Sequence, residues 1–213
     1  MNKSYFQFLE ESRINDTRKT QVATTYGTYK KTGEVLKGLL PPKARTINVG
    51  AGLDQTKQGL MDGLGKGFIV HDMEPNPENR ENPPEYTSSD QIPVGKYHAA
   101  VCHNVLNVVE PEVRDTIVRS IFSSLKSGGH AIIGTRKWTG DIATNKNFEL
   151  GDEPKSMWVK KKDAYSYQKG FDGNELKDYV QRIADEDGHT VAIHPLRDIT
   201  ANGIRVHLVR KAK

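Results

Sequence analysis

The sequence predicts an α/β fold, a doubly wound sheet of about seven strands that is mostly parallel and has an antiparallel last strand. Three observations support this prediction. Apolar segments alternate with segments of helical periodicity, a glycine turn separates the first strand from the first helix, and two apolar segments close the C-terminus. At 213 residues, the chain is long enough for one domain with a sizeable core.

The N-terminal part is predicted to be a helical segment over residues 1–43, which precedes a domain at 44–213 within a single compact unit. Asn15-Asp16-Thr17 can cap a helix, and Pro41-Pro42 ends the segment. Residues 26–31 could close over a ligand as a lid, or simply pack against the domain.

The remaining elements follow the apolar pattern in chain order. Continuous apolar segments predict buried strands, and a three-to-four-residue apolar spacing predicts helices. The expected strands are 46–49, 67–71, 97–102, 130–135, 190–194 and 204–209, with a short one possible near 85–88; the expected helices are 54–64, 111–125 and 173–186. Residues 74–96 and the segment between 136 and 172 are predicted to be mainly loop. This order indicates a Rossmann-like sheet.

A glycine turn and a later acid are the most informative features of residues 46–72. Gly50, Ala51 and Gly52 follow the first strand, and Asp72 comes 20 residues after Gly52, at the end of the second strand. Such a turn lets the backbone approach a ligand, while the carboxylate accepts hydrogen bonds from ribose hydroxyls. The sequence therefore predicts a nucleoside-binding half-site, although a purely structural turn is the alternative.

The chain resembles class I S-adenosylmethionine-dependent methyltransferases over roughly residues 44–136. The segment 48–52 is similar to the family's first motif, in which the glycine loop passes the methionine part of the cofactor. The segment 124–129, Ser-Leu-Lys-Ser-Gly-Gly, resembles the family's Leu-x-x-Gly-Gly turn. Asn48 stands where the family often has an acid, and Leu53 stands where it often has a third glycine.

The resemblance implies S-adenosylmethionine as cofactor and direct methyl transfer without a covalent enzyme intermediate. Asp72 would be the ribose-binding acid, and 88–93 would hold the adenine. The implied cofactor-binding residues are Asn48, Gly50, Ala51, Gly52, Asp72, Met73, Ser89, Asp90 and His103. His103 and Asn104, at the carboxyl end of the strand 97–102, are the predicted catalytic residues; strand-end capping is the alternative. No metal site is expected, because the seven histidines are scattered.

A dinucleotide site competes with this interpretation. Its G-x-G-x-x-G fingerprint would need a glycine where Gln55 stands. Asp54 would oppose a pyrophosphate at the helix N-terminus, whereas S-adenosylmethionine carries a sulfonium and an ammonium group. A methyltransferase-like binding or scaffold protein without catalysis is the alternative from another functional class.

The methyl acceptor is expected to be a nucleic acid or a nucleotide-like small molecule. Residues 155–171 interleave cations with aromatics and could follow a phosphate backbone while rings stack on bases. Alternatively, this is a solvated loop whose Trp158 and Tyr167 pack onto the sheet. More narrowly, the segments 105–109 and 167–171 taken together resemble methyltransferases found beside bacterial DNA-modification systems.

Charge and cysteine content give the remaining expectations. The net charge is +4, and residues 155–213 carry its surplus, with 12 Lys or Arg against 8 Asp or Glu. Cys102 is the only cysteine, so a disulfide within the chain is impossible, and it is interpreted as a core residue. Since no run of 18 apolar residues occurs, we expect a cytoplasmic protein without a membrane partner.

Overall fold

The computed structural model describes residues 26–138, 148–160, 164–172, 174–196, 199 and 204–212. The predicted helical segment before residue 26, with its cap at Asn15-Asp16-Thr17, lies outside the described residues. The described helices are α1 (Tyr26–Lys37), α2 (Asp54–Leu64), α3 (Pro111–Ser124) and α4 (Glu175–Glu186). The described strands are β1 (Arg45–Val49), β2 (Ile69–Met73), β3 (Tyr97–His103), β4 (Leu125–Arg136), β5 (Phe148–Leu150), β6 (Ser156–Lys160), β7 (Tyr165–Lys169), β8 (Val191–Pro195) and β9 (Ile204–Lys211).

The main sheet confirms the predicted fold class. Its six strands have the order β2-β1-β3-β4-β9-β8. Strands β1 to β4 are parallel, and β9 runs antiparallel to both β4 and β8. The expected strand near 85–88 is reduced to one parallel bridge between Met73 and Tyr86, so the described residues form a main sheet of six strands where about seven were expected.

Two segments differ from the sequence prediction. Strand β4 begins at Leu125, so Ser127-Gly128-Gly129 lies inside the strand, and α3 already ends at Ser124. The pairing of β3 with β4 shifts register between Tyr97 and Ala99, and this irregularity accommodates Gly128 at a positive φ of 75°. The segment predicted as a long loop contains β5, β6 and β7, which form a separate antiparallel sheet.

Three glycines allow helices α1 and α2 to pack closely. A Cβ at Gly63 would lie 2.0 Å from the carbonyl oxygen of Lys30, and one at Gly33 would lie 2.5 Å from the oxygen of Leu60. A Cβ at Gly59 would meet the oxygen of Tyr26 at 2.6 Å. The glycines thus cost helix propensity but permit a backbone contact that any side chain would block.

Apolar layers cover the two faces of the sheet. Helices α3 and α4 bury Ile121 and Val180 against one face, while α1 and α2 bury Tyr29 and Leu60 against the other. Because β1 to β4 are parallel, their carboxyl ends meet at one edge of the sheet, which is where ligands bind in open α/β sheets. No helix in the described ranges is both long and apolar enough to cross a membrane.

Candidate functional site

The glycine turn connects β1 to α2 at the carboxyl edge. The backbone N–H groups of Gly50 and Ala51 both donate to the Met73 carbonyl, at 2.9 and 3.0 Å. Gly50 has a φ of 68°, and a Cβ there would lie 2.3 Å from a methyl of Val105. Gly52 has a φ of 63°, but its Cβ position has no described atom within 4 Å. The turn is therefore closed by Val105 at its start and open at Gly52.

Glu74 is the acid that directly contacts this turn. It follows β2, is buried, and accepts a hydrogen bond of 2.6 Å from the Gly52 N–H. Its second oxygen accepts from the N–H of Asn76 at 3.0 Å. Sequence reasoning missed Glu74, although it stands two residues after Asp72 and alternation along an extended chain places the two on the same side.

The Asp72 carboxylate is fully buried and already has protein partners. Arg80 donates to one oxygen at 2.5 Å, and the Asn48 amide donates to the other at 3.0 Å. Burial raises the pKa of Asp72, and the Arg80 guanidinium opposes that rise. Arg80 also donates to the Gly52 carbonyl at 2.8 Å, so it ties the turn to β2. As a ribose contact, Asp72 stays a prediction.

The segment after β2 is fastened to the start of α2. Asp54 accepts hydrogen bonds from the backbone N–H groups of Glu81 and Asn82, at 2.8 and 3.3 Å. Burial tends to raise the pKa of Asp54, but these hydrogen bonds and Arg80 lower it overall. Asp54 therefore holds the protein's own loop in this arrangement, and its role in repelling a pyrophosphate stays a prediction.

His103 ends β3 beneath helix α1. Its Nε2 lies 2.9 Å from the Thr32 hydroxyl, and its ring meets Tyr29 edge-on at a centroid distance of 5.1 Å. A Cβ at Gly134 would lie 2.3 Å from the Nδ1 of His103. Complete burial lowers the pKa of His103 to about 4, so the ring is neutral at pH 7.

Asn104 turns the chain out of the sheet. It has a positive φ of 59°, a conformation that asparagine tolerates better than most residues. Its N–H donates to the Gly134 carbonyl at 2.8 Å, which is the strand-end contact expected as the alternative to catalysis. Its side-chain oxygen has no hydrogen-bond partner among the described residues.

The remaining predicted cofactor residues lie in different surroundings. Met73 is buried in the core and contributes its carbonyl to the turn. Ser89 and Asp90 form a short 3₁₀ turn, in which the exposed Asp90 accepts a hydrogen bond from Ser88. The structure thus links Asn48, Asp72 and the glycine turn through hydrogen bonds, with Arg80 as the bridge to the turn. The hydrogen bond of Asp90 is made to the neighbouring Ser88 and not to the turn.

The basic and aromatic segment 155–171 is folded in on itself, except for 161–163, which lie outside the described residues. Trp158 and Tyr167 are buried and meet edge-on at 5.0 Å, so these rings are not available for stacking on bases. Lys155 pairs with Asp172 at 3.2 Å, and Lys169 is buried beside the Glu175 carboxylate. Trp158 and Tyr167 are thus packed, as in the alternative to nucleic-acid contact, but within a small β-sheet and not in a solvated loop.

The part of the chain that the structure describes contains no cluster of three or more His, Cys, Asp or Glu side chains suited to a metal ion. No family model matches the chain, and no curated protein sequence is similar to it.

Solved structures with a similar fold cover almost the whole chain. One is 1,6-didemethyltoxoflavin-N1-methyltransferase of Burkholderia thailandensis with 1,6-didemethyltoxoflavin and S-adenosylhomocysteine bound (14% identity, TM-score 0.61, 98% of this chain and 87% of that chain). Another is a S-adenosylmethionine-dependent methyltransferase of Clostridium acetobutylicum (10% identity, TM-score 0.61, 99% of this chain and 100% of that chain).

A third similar structure is described as a putative zinc-dependent alcohol dehydrogenase of Rhodobacter sphaeroides (11% identity, TM-score 0.65, 86% of this chain and 90% of that chain). Sequence identities this low show a shared fold only, so the activity has to be inferred from the residues of the site. The chain has the fold of class I S-adenosylmethionine-dependent methyltransferases.

Proposed function

We propose that the protein is an S-adenosylmethionine-dependent methyltransferase that acts by direct methyl transfer. The observation that carries this proposal is the pairing of the open glycine turn with the buried Glu74 carboxylate at the carboxyl ends of β1 and β2. A carboxylate there meets ribose hydroxyls, while the turn leaves space for the methionine part. The side-chain oxygen of Asn48 is buried without a partner among the described residues, which fits a polar ligand beside the turn.

Glu74 is the proposed ribose acid in place of Asp72. Asp72 is fully buried and pairs with Arg80 and Asn48, whereas Glu74 directs one oxygen at Gly52, the open end of the turn. Asp72 then acts through Arg80, because that guanidinium joins its carboxylate to the Gly52 carbonyl. Ser89 and Asp90 remain the proposed adenine contacts, on the family resemblance alone.

The cofactor, when bound, supplies a methyl group that its sulfonium has already activated. The protein's task is then to align the acceptor and to exclude water, which accounts for most of the rate of such reactions. Asn104, whose side-chain oxygen is free among the described residues, is the proposed acceptor contact. The neutral His103 holds α1 over the site through Thr32 and Tyr29, and its lowered pKa makes it a weak base.

A nucleotide-like small molecule is the proposed acceptor in preference to a nucleic acid. The buried rings of Trp158 and Tyr167, together with the ion pairs of Lys155 and Lys169, leave little of the stacking surface that a nucleic acid would need from the described part of this segment. The Burkholderia thailandensis methyltransferase of the same fold has a small molecule, 1,6-didemethyltoxoflavin, bound.

Calorimetric titration with S-adenosylmethionine, S-adenosylhomocysteine and NAD tests the cofactor. We expect the first two to bind at one site per chain, and NAD not to bind. Incubation with S-adenosylmethionine and candidate acceptors, followed by quantification of S-adenosylhomocysteine, then separates an enzyme from a scaffold protein. NAD binding in place of both sulfur compounds would overturn the proposal.

A further inference from the structure

We propose that Asn107 recognises the substrate that receives the methyl group. This substrate would be a planar nitrogen heterocycle with a hydrogen-bond donor and a hydrogen-bond acceptor side by side on one edge. This inference rests on the proposed methyltransferase function and names the substrate class of that site. It starts from a buried carboxamide that neither the fold nor the cofactor site uses.

The Asn107 side chain is buried without hydrogen bonds. The residue is 1% exposed, and neither Nδ2 nor Oδ1 has a hydrogen-bond partner in the described parts of the chain. Buried amides in native proteins are almost always paired, because an unpaired donor or acceptor loses its hydration without compensation. Asn107 leaves both unpaired, and a ligand that enters between the groups now covering them would supply the missing partners.

Asn107 lies between the glycine turn and the β5–β7 sheet. Val105 packs against Gly50 of the turn. Asn107 follows Val105 by two residues, so the Cα atoms of Val105 and Asn107 are at most about 7 Å apart. On its other side, the Asn107 carbonyl accepts a hydrogen bond of 2.8 Å from the Lys169 N–H at the end of β7. A methyl acceptor has to lie beside the cofactor turn, which is the neighbourhood in which Asn107 stands.

The backbone around Asn107 is held in place by the buried Arg114 of α3. Its guanidinium donates to the carbonyls of Leu106 at 2.6 Å and Val109 at 2.9 Å, on either side of Asn107. It also forms a salt bridge of 2.8 Å with Glu153, which precedes β6. These contacts fix the backbone around Asn107 at three points, which limits how far the residue can move to find another partner for its carboxamide.

The chemistry of a carboxamide defines the ligand class. It presents an N–H donor beside a carbonyl acceptor in one plane, so its complement is a planar edge with an acceptor beside a donor. Heterocycles with a lactam or an aminopyridine-type edge have this arrangement, and asparagine makes paired hydrogen bonds with adenine in this way. An aliphatic amine or a phenol has a single polar atom, which cannot pair with both groups of the carboxamide side by side.

Ligand-observed NMR with the full chain saturated with S-adenosylhomocysteine tests this inference. The probes are uracil, whose N3–H donor lies beside a carbonyl oxygen, and 1,3-dimethyluracil, in which methyl groups replace both N–H donors. Uracil should bind, 1,3-dimethyluracil should bind at least about 10-fold more weakly, and Asn107→Leu should weaken uracil by a similar factor. The control Asn174→Leu changes an exposed residue whose side chain makes no capping hydrogen bond, and should leave both affinities unchanged.

Stability measurements complete the test. Asn107→Leu should leave S-adenosylhomocysteine affinity unchanged and thermal stability equal or higher, because it removes two unpaired polar atoms from the interior. If Asn107→Leu does not fold, Asn107→Asp, which keeps the size but loses the donor, should show the same loss of uracil affinity.

Absence of uracil binding, equal binding of both probes, or a destabilised Asn107→Leu with unchanged uracil affinity would overturn the inference; the last result would mean that a buried water satisfies the amide. Failure of the native chain to bind S-adenosylhomocysteine would instead overturn the proposed function.

Discussion

The buried His103 makes a testable contribution to the pH dependence of stability. Its ring is enclosed by Thr32 and Tyr29 of α1 and by the backbone of Gly134, and burial lowers its pKa from 6.5 to about 4. The unfolded chain therefore binds a proton at this residue between about pH 6.5 and pH 4, whereas the folded chain does not. Stability from this source is complete above pH 6.5 and is lost as the pH falls.

The size of the effect follows from the shift. Each pKa unit corresponds to about 1.4 kcal/mol, so the full contribution is roughly 3 kcal/mol, of which about 2 kcal/mol is lost between pH 7 and pH 5. Several other described histidines also have lowered pKa values, so only a comparison with a variant isolates His103. His103→Gln keeps a polar side chain of similar length but cannot titrate in this range.

The assay is urea unfolding of the native chain and His103→Gln at pH 7 and pH 5. The native chain should lose about 2 kcal/mol more free energy of unfolding than the variant over this interval. Equal losses would show that His103 titrates near its ordinary pKa in the folded protein. That result would contradict the burial under α1 and would restore His103 as a candidate general base.

Two further substitutions test the cofactor side of the fold. Asp72→Asn should lower the free energy of unfolding by about 3–5 kcal/mol in a urea titration, because it leaves the buried Arg80 guanidinium without its carboxylate; a loss of S-adenosylhomocysteine affinity with unchanged stability would instead identify Asp72 as the ribose acid. Gly63→Ala should destabilise the chain by about 1–3 kcal/mol, since its Cβ would lie 2.0 Å from the carbonyl oxygen of Lys30. The control is Gly27→Ala in the same helix pair, whose Cβ would meet no described atom within 4 Å. In a thermal melt this control should be neutral or slightly stabilising. Equal melting temperatures for the two alanine variants would contradict the close approach of α1 and α2.

Local patterns were sufficient to predict the parallel sheet and its turn. Continuous apolar segments marked β1 to β4, and the positive φ values of Gly50 and Gly52 explain why glycine occupies both positions of the turn. The bounds of α2 also agree with the prediction, although Gly59 and Gly63 lower the helix propensity of this segment. Their reason is the packing of α1, a tertiary contact that helix propensity does not contain.

Features that depend on long-range contacts were missed. Strands β5 to β7 are short and interrupted by charged residues, and their stability comes from burying Trp158 against Tyr167 across the small sheet. Arg80 lies in a polar, proline-rich segment with no local sign that its side chain would reach Asp72. Glu74 was overlooked for a related reason, because only the folded turn brings the Gly52 N–H to its carboxylate.

Calorimetric titration of S-adenosylhomocysteine into the native chain and into Glu74→Gln tests the central claim most directly. The substitution keeps the size of the side chain but removes the charge that strengthens hydrogen bonds to ribose hydroxyls. The native chain should bind one equivalent, and Glu74→Gln should bind at least about 10-fold more weakly. The free variant should melt at a lower temperature than the native chain, because its one amide oxygen cannot accept from the N–H groups of both Gly52 and Asn76. Equal affinity of the two proteins, or no binding by the native chain, would contradict the proposed cofactor site.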